Sequence, residues 1–456
     1  MLQCKGFVGG LPRRNLWLSA LMAAAPALLA GSAWAQTTTS EGPVSLLFTI
    51  PVPVASTNTT GGMYGFDISW VDPVTQTYYL GDRSNAAVDA VNASTGTFIR
   101  QIKASPAFSG VVLNSAHTAV NNNLSGPNGV TTGVRSGQDC LFAGDGDSRV
   151  VSFALPAGTQ VGSLSTGGSF RADEMAFDSK DGVLIVANNA DSPPFATLIG
   201  VGAKCGMVIN KKIVFSFATN GAEQPVWDPT TDLFYQSIPS TSGTTAAPGP
   251  TGAIAAINPT SGAITQMFPV NYCQPAGLAL GPNQTFLAGC SVVYDTVGNV
   301  WSGSDTNTAD PLQVIIDTTG AYSYVPGIGS SDEVAYNSGD NHWYTGSQNS
   351  PYSPHPIAGT TGALSSTDQG AGMLGVIDGT SQSLDQIAPT FDVPGKLPLL
   401  GPPPGHPSGS SHSVAVNSAN NWVFVPMPGN NAIPGCLTGC IAVYGRQDTD
   451  KTGAND

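Results

Sequence analysis

Short hydrophobic runs separated by polar turns recur along this chain as copies of one unit. Asp173–Ser179 and Asp332–Ser338 carry Asp, Glu, Ala and Ser at the same positions, and His412–Ser418 continues the pattern. Looser copies are Asp67–Asp72, Pro127–Val130, Gln224–Pro229 and Pro275–Ala279. The copies start near positions 67, 127, 173, 224, 275, 332 and 412. Such internal repetition predicts an array of similar structural units.

Each start is followed by further runs whose composition favours β-strands. The second runs are Thr77–Leu80, Asp139–Ala143, Val183–Ala187, Leu233–Tyr235, Thr285–Ala288, His342–Thr345 and Asn421–Val425. The third runs are Ala87–Val91, Val150–Ala154, Ile254–Ile257, Leu312–Ile316, Gly375–Ile377 and Ile441–Tyr444. Fourth runs follow at Thr97–Ile102 and Ile264–Val270. Four short strands per unit, with turns between them, predict the blades of a β-propeller.

The two ends of the repeat region suggest how the array closes. The last unit ends at its third strand, Ile441–Tyr444, whereas Val44–Ile50 is a β-run that belongs to no unit. We expect Val44–Ile50 to be the outer strand of the last blade, because pairing the termini removes an exposed edge. The predicted fold is therefore all-β, a single seven-bladed β-propeller over residues 36–446 with a polar tail at 447–456. The alternative is an eight-stranded sandwich with additional segments.

The first 35 residues have the pattern of a secretory signal peptide. Three basic residues precede the apolar run Leu16–Leu29, and Ala33–Ala35 has the small-x-small pattern of a cleavage site. Arg13 and Arg14 leave two export routes open, the ordinary one and the twin-arginine one. No later segment reaches about 18 uninterrupted apolar residues. We expect a periplasmic or secreted mature chain without a transmembrane segment.

The amino-acid composition argues against several classes of structure and function. The 456 residues include 55 Gly and 35 Pro, which interrupt nearly every stretch and make long helices improbable. The 16 Lys and Arg against 30 Asp and Glu give a net charge of −14, which argues against binding to a nucleic-acid backbone. No Gly-x-Ser-x-Gly elbow, phosphate loop or His-Glu-x-x-His helix occurs in the sequence. We expect a monomer whose partner is a small molecule or a protein.

Six cysteines remain after the signal peptide, and an even number in an exported chain favours disulfides. Cys273 and Cys290 flank a segment that can fold as a hairpin, which brings them side by side. Cys436 and Cys440 can close a small loop. Cys140 and Cys205 form the third pair by elimination.

The sequence also resembles a known group of propellers. Gly65–Asp72, Tyr78–Asn85 and Val88–Asn92 look like a blade of the YVTN-type and NHL-type secreted propellers. The broader superfamily includes the gluconolactonase and regucalcin-like lactonases, which depend on a metal. Asn128 resembles the asparagine that binds the metal in those enzymes. The usual Pro-Asp-Gly entrance of that family is absent from this sequence. Propellers have many unrelated functions, so the fold alone does not give the activity.

The resemblance implies that the start of each unit lines one mouth of a central channel. The polar residues at these starts are Asp67, Asn128, Asp173, Glu174, Glu223, Gln224, Asp332, Glu333 and His412. Converging carboxylates with an amide could hold Ca²⁺ or Mg²⁺, and His412 would admit a transition metal. The plainer interpretation is that each acid accepts backbone N–H bonds in its own turn.

Three functions are compatible with this pattern. The first is an exported propeller that binds a ligand or partner at the acidic channel mouth. The second is a metal-dependent lactonase or esterase-type hydrolase, in which a cation on Asn128, Glu174 and Asp332 activates water. The third is a non-catalytic structural or surface-interaction protein. A bound divalent cation is the only cofactor that the sequence suggests.

Overall fold

A computed structural model describes residues 42–117, 119–300, 311–348, 372–390, 411–429 and 433–446. The predicted signal peptide and the polar tail after Arg446 lie outside the described residues. The described chain is built from β-strands, and its two short 3₁₀ turns are Ala203–Cys205 and Pro282–Gln284. Within these ranges, no helix has the length and hydrophobicity that crossing a membrane requires.

The first three sheets each contain four consecutive antiparallel strands. Sheet I consists of β2 (Ser69–Asp72), β3 (Thr77–Asp82), β4 (Ala87–Asn92) and β5 (Thr97–Ile102). Sheet II consists of β6 (Val130–Arg135), β7 (Gln138–Asp145), β8 (Arg149–Ala154) and β9 (Thr159–Ser165). Sheet III consists of β10 (Met175–Asp178), β11 (Val183–Asn188), β12 (Phe195–Val201) and β13 (Met207–Val214).

Sheet IV has eight strands in two antiparallel halves, joined where Thr251 pairs in parallel with Cys273. Half IVa consists of β14 (Pro225–Asp228), β15 (Leu233–Ile238), β18 (Thr251–Ile257) and β19 (Ile264–Asn271). Half IVb consists of β20 (Cys273–Leu280), β21 (Thr285–Val293), β22 (Leu312–Asp317) and β23 (Tyr322–Pro326). A small hairpin of β16 (Gly243–Thr244) and β17 (Ala247–Pro248) lies in the connection between β15 and β18.

The last two four-stranded sheets complete the described chain. Sheet V consists of β24 (Ser331–Asn337), β25 (His342–Ser347), β26 (Met373–Asp378) and β27 (Ser383–Pro389). Sheet VI consists of β28 (Ala415–Asn417), β29 (Trp422–Met427), β30 (Cys440–Arg446) and β1 (Val44–Pro51). β1 pairs antiparallel with β30, in a register that places Ile50 opposite Ile441. The N-terminal strand therefore completes a sheet whose other strands come from the C-terminus.

The first strands of the sheets contact one another in succession. The order of these contacts is β2, β6, β10, β14, β20, β24 and β28, where β14 and β20 are the first strands of halves IVa and IVb. The last strand in this order, β28, contacts β2. Hydrophobic clusters lie between successive sheets; Tyr78 of sheet I, for example, stacks on Phe424 of sheet VI with ring centroids 4.9 Å apart. Several four-stranded sheets packed side by side are consistent with a propeller, and they outnumber the two sheets of a sandwich.

Three cysteine pairs lie at disulfide distance, as the sequence predicted. Their Cα atoms are 5.6 Å apart in Cys140–Cys205, 5.1 Å in Cys273–Cys290 and 4.8 Å in Cys436–Cys440. The Cys273–Cys290 pair connects the two strands of the β20–β21 hairpin. Three such pairs are consistent with an extracellular or periplasmic protein.

Candidate functional site

Four first strands are preceded by the same two-residue β-bulge. At sheet III, the N–H of Asp173 donates to Ala187 O (2.8 Å) and the N–H of Ala187 donates to Glu174 O (2.9 Å). The same two bonds connect Gly81 to Asp67 and Ile68, Gly144 to Asn128 and Gly129, and Ser237 to Glu223 and Gln224. Two bulge residues face one residue of the neighbouring strand, so the alternation of side chains is interrupted. We call these two residues the first and second bulge positions.

In sheet V the strand pairing is also irregular at the corresponding place, between Ser331 and Glu333. Glycines allow neighbouring sheets to approach here. A Cβ at Gly129 would overlap the carbonyl oxygen of Asp173 in the next sheet. A side chain at this position would therefore push sheets II and III apart at the bulges.

The first bulge positions, their equivalents in sheets V and VI and three further residues form a network of hydrogen bonds, ion pairs and charges. We call it the outer cluster, and its members are Asp67, Arg83, Asn128, Arg171, Asp173, Asn189, Glu223, Asp332 and His412. These residues belong to segments at six different sheets or half-sheets.

Arg83 connects sheets I and II within the outer cluster. It lies in the turn after β3 and is 2% exposed. Its Nη2 is ion-paired with Asp67 Oδ2, and its Nε donates to Asn128 Oδ1 at 2.9 Å. Its Nη1 also donates to Phe66 O at 3.3 Å and to Asn122 Oδ1 at 3.0 Å. A buried guanidinium is stable only when its donors and its charge are matched, and these acceptors together with Asp67 match them.

Arg171 extends the network to sheet III and half IVa. Its Nη2 lies 2.7 Å from Asp173 Oδ2, and its Nη1 lies 3.6 Å from Asp67 Oδ2. Its Nε donates to Asn189 Oδ1 at 3.2 Å, and the Asn189 amide in turn donates to Glu223 Oε2 at 3.1 Å. The two arginines thus share Asp67 and link several sheets at one place.

Two further members come from the last sheets. His412 Nε2 lies 3.2 Å from Asp67 Oδ1, and its ring stacks on Phe66 with centroids 5.3 Å apart. Asp332 Oδ2 accepts a hydrogen bond from Gln348 Nε2 at 2.9 Å. Asp332 also interacts electrostatically with Arg171, Arg83 and His412, which places it in the same charged region.

Burial and charge shift the carboxyl pKa values in opposite directions. Burial alone would raise the pKa of Asp67, but Arg83 and Arg171 outweigh it and hold that pKa well below its ordinary value. Burial raises the pKa of Glu223 to about 7, although Arg171 opposes the shift. Burial also raises the pKa values of Asp173 and Asp332. Four carboxyl groups face two guanidinium groups, so the cluster has an excess of negative charge when all four carboxyl groups are ionised, and the raised pKa values show that ionising the last of them is costly.

Glu174 and Glu333 form a separate contact, which we call the inner pair. The two side chains lie within hydrogen-bonding distance of each other and are 3% and 2% exposed. Glu174 Oε2 and Glu333 Oε1 have no hydrogen-bond donor among the described residues. Burial raises the pKa of both groups well above the ordinary value, and the negative charges around them raise it further. The contact therefore requires a proton or a cation.

Eight of the nine predicted mouth residues belong to these two groups. Gln224 differs, because its Oε1 accepts the N–H of Leu278 at 2.6 Å and so connects the two halves of sheet IV. Arg83, Arg171 and Asn189 were not predicted from the sequence. A signal for the arginines was present, since Arg83 directly follows the end of β3 and Arg171 precedes the bulge by two residues. The predicted acidic ring is thus partly neutralised.

The described residues contain another group of acids close enough to hold a metal. Candidate ligand oxygens of Asp178, Asp181 and Asp232 all lie within 4.8 Å of one another. The group lies at the turns that follow β10 and β14, and Lys180 Nζ is ion-paired with Asp232 there. A cationic side chain therefore already neutralises part of this group.

Comparisons with known proteins give the fold but no family. No protein-family model matches the chain, and no curated protein sequence matches it. Among solved structures, hydrazine synthase of Kuenenia stuttgartiensis, a β-propeller-containing protein, is similar with a TM-score of 0.54. The alignment covers 82% of this chain and 94% of that chain at 12% identity. The similarity supports a β-propeller-like fold and does not test the resemblance to the YVTN-type and NHL-type propellers.

Proposed function

We propose that this chain is an exported seven-bladed β-propeller that binds a positively charged ligand at one mouth of its central channel. Sheets I, II and III, halves IVa and IVb, and sheets V and VI are the seven blades. The order of contacts between first strands supports this arrangement, because it returns from β28 to β2. The pairing of β1 with β30 supports closure of the ring by the two termini.

The observation that carries the ligand proposal is the convergence of the first bulge positions from different sheets. Asp67, Asp173, Glu223 and Asp332 exceed Arg83 and Arg171 by two negative charges when all are ionised. Asp67 is ion-paired with both arginines. Glu223 and Asp332 are only partly buried, so a ligand can reach them. We infer that these two carboxylates contact the cationic group of the ligand. A low local dielectric strengthens such an ion pair relative to one on an open surface.

The hydrolase alternative receives no specific support from this geometry. Its metal would need oxygens of Asn128, Glu174 and Asp332 together. Asn128 Oδ1 instead accepts a hydrogen bond from Arg83, and Glu174 contacts Glu333. A guanidinium on the asparagine oxygen would repel a metal cation at the same place. These three residues therefore do not fit the shared metal site that the lactonase resemblance implies.

The binding proposal can be tested with simple charged probes. We would titrate the mature chain, residues 36–456, with 1,4-diaminobutane and with citrate in a calorimeter at low and moderate ionic strength. We expect saturable binding of the diamine, weakened by salt, and no binding of citrate. Asp332→Asn and Glu223→Gln should each weaken diamine binding about tenfold, the loss expected for one partly desolvated charge contact.

The matched control is Asp385→Asn, which removes an acid whose side chain is 44% exposed on the outer strand of sheet V. It should leave diamine binding unchanged. The proposal would be rejected if the diamine did not bind, or if the control weakened binding as much as the two cluster variants.

A further inference from the structure

The inner pair brings together side chains from sheets that are not neighbours. Glu174 immediately precedes β10 of sheet III, and Glu333 lies in β24 of sheet V. The first strands β14 and β20 come between β10 and β24 in the order of contacts. In the propeller arrangement, on which this inference rests, only a contact across the channel joins two such blades. The inner pair therefore spans the axis.

The surroundings of the inner pair are negative. The negative charges of Glu223 and Asp173 disfavour ionisation of Glu174. Those of Asp332, Asp67 and Asp173 disfavour ionisation of Glu333 in the same way. The two arginines of the outer cluster are bonded to Asp67 and Asp173 instead. Two buried carboxyl groups in contact, each with an oxygen that lacks a donor among the described residues, are stable only if a proton or a cation lies between them.

We propose that the inner pair is a binding site for a divalent cation of the hard, oxygen-preferring class, with Ca²⁺ as the first candidate. The ligand atoms of the inner pair are carboxylate oxygens, which such cations prefer over nitrogen and sulfur ligands. Two carboxylates neutralise one divalent ion, and water completes its coordination. The site would place a cation next to the outer cluster, because Glu174 directly follows Asp173 and Glu333 directly follows Asp332.

The competing acid group is less suited to a cation. Asp178, Asp181 and Asp232 include an exposed acid and one that is ion-paired with Lys180. A metal there would have to displace an ammonium group and compete with bulk water. It nevertheless provides a matched control, because it offers carboxylates of the same kind away from the channel.

The test is calcium binding to the mature chain after EDTA treatment and dialysis, followed by calorimetry and thermal melts. We expect one equivalent of Ca²⁺ to bind. A free Ca²⁺ concentration one hundred times the Kd should raise the melting temperature by about 3 °C, whereas K⁺ at the same ionic strength should not raise it. Glu174→Gln and Glu333→Gln should each weaken binding at least tenfold. Glutamine has nearly the same shape and removes the repulsion, so circular dichroism should show folded variants.

Asp181→Asn should bind Ca²⁺ like the parent protein. The inference is overturned if Ca²⁺, Mg²⁺ and Mn²⁺ all fail to bind, since the pair then shares only a proton. It is equally overturned if Asp181→Asn abolishes binding and Glu333→Gln does not. Diamine binding is measured on the same samples, so failure of the metal site is distinguishable from failure of the binding function proposed for the outer cluster.

Discussion

A second buried pair of acids, in sheet I, makes the stability of this protein depend on pH. Asp82 and Asp89 are both fully buried, and their side chains contact each other across the hairpin of β3 and β4. Asp82 accepts the N–H of Asn85 at 3.0 Å and also its side-chain amide. Neither oxygen of Asp89 accepts a hydrogen bond of normal geometry among the described residues. Asp89 is therefore the partner whose charge is poorly compensated.

The size of the effect follows from the shift in pKa. Burial raises the pKa of Asp82 to about 6, and burial together with Asp82 raises the pKa of Asp89 well above its ordinary value. The folded protein thus retains protons that the unfolded chain has released above about pH 4, so stability decreases as pH rises from there through the folded pKa. For Asp82 alone, the displacement of the pKa by about two units corresponds to ~3 kcal/mol, and the raised pKa of Asp89 acts in the same direction.

The informative change is Asp89→Asn. The asparagine cannot ionise, and its amide can donate to Asp82, so we expect a gain at pH 7, on the order of the ~3 kcal/mol that one such buried carboxyl group costs, and almost none at pH 4. With an unfolding entropy of about 2.1 cal/mol/K per residue over roughly 400 residues, this gain is a rise of about 3–4 °C in melting temperature. Asp82→Asn should be less stable than Asp89→Asn, because its amide would face the donors of Asn85.

The assay is denaturant and thermal unfolding of the parent and both variants from pH 4 to pH 8 at constant ionic strength. Asp385→Asn is the control for removal of an exposed acid. Parallel stability curves of the parent and Asp89→Asn over this range would show that this pair is not the cause of the pH dependence. A loss of stability in Asp89→Asn at pH 7 would refute this explanation as well, because a neutral side chain would then fit worse than the acid.

Two further predictions concern closure and the outer cluster. Deletion of residues 44–51 exposes the edge of β30 and the hydrophobic cluster around Ile50, so we expect a large loss of thermal stability and aggregation at micromolar concentration; a deletant that melts like the parent would exclude closure by β1. Arg83→Met removes the ion pair of the buried Asp67 with Arg83 and leaves only its contacts with Arg171 and His412. We expect the free energy of unfolding, measured in urea, to fall by about 3–5 kcal/mol. Arg83→Met, Asp67→Asn together should recover most of this loss, and a double variant as unstable as the single one would contradict the ion-pair explanation.

The sequence alone was sufficient for many of the strands because their signals are local. The apolar run Val183–Ala187 and its turn predicted the strand that the structure extends to Val183–Asn188, and Thr97–Ile102 has the predicted bounds. The third strand of sheet III, Phe195–Val201, was missed, since it follows Ser192-Pro193-Pro194 without the turn pattern of the other units. Pairing of the cysteines was also accessible, because hairpin and loop geometry restrict the choices.

The candidate site could be predicted only in part. The repeated starts indicated which acids share an equivalent position, and eight of the nine named residues lie in the outer cluster or the inner pair. The partners of those acids could not be predicted from the sequence. Arg83 of sheet I contacts Asn128 of sheet II, and both Arg83 and Arg171 contact Asp67. Periodicity determines which residues are equivalent. The distances between segments far apart in sequence decide which acids are paired with an arginine and which, like Glu174 and Glu333, contact only another acid. Only the tertiary structure determines those distances.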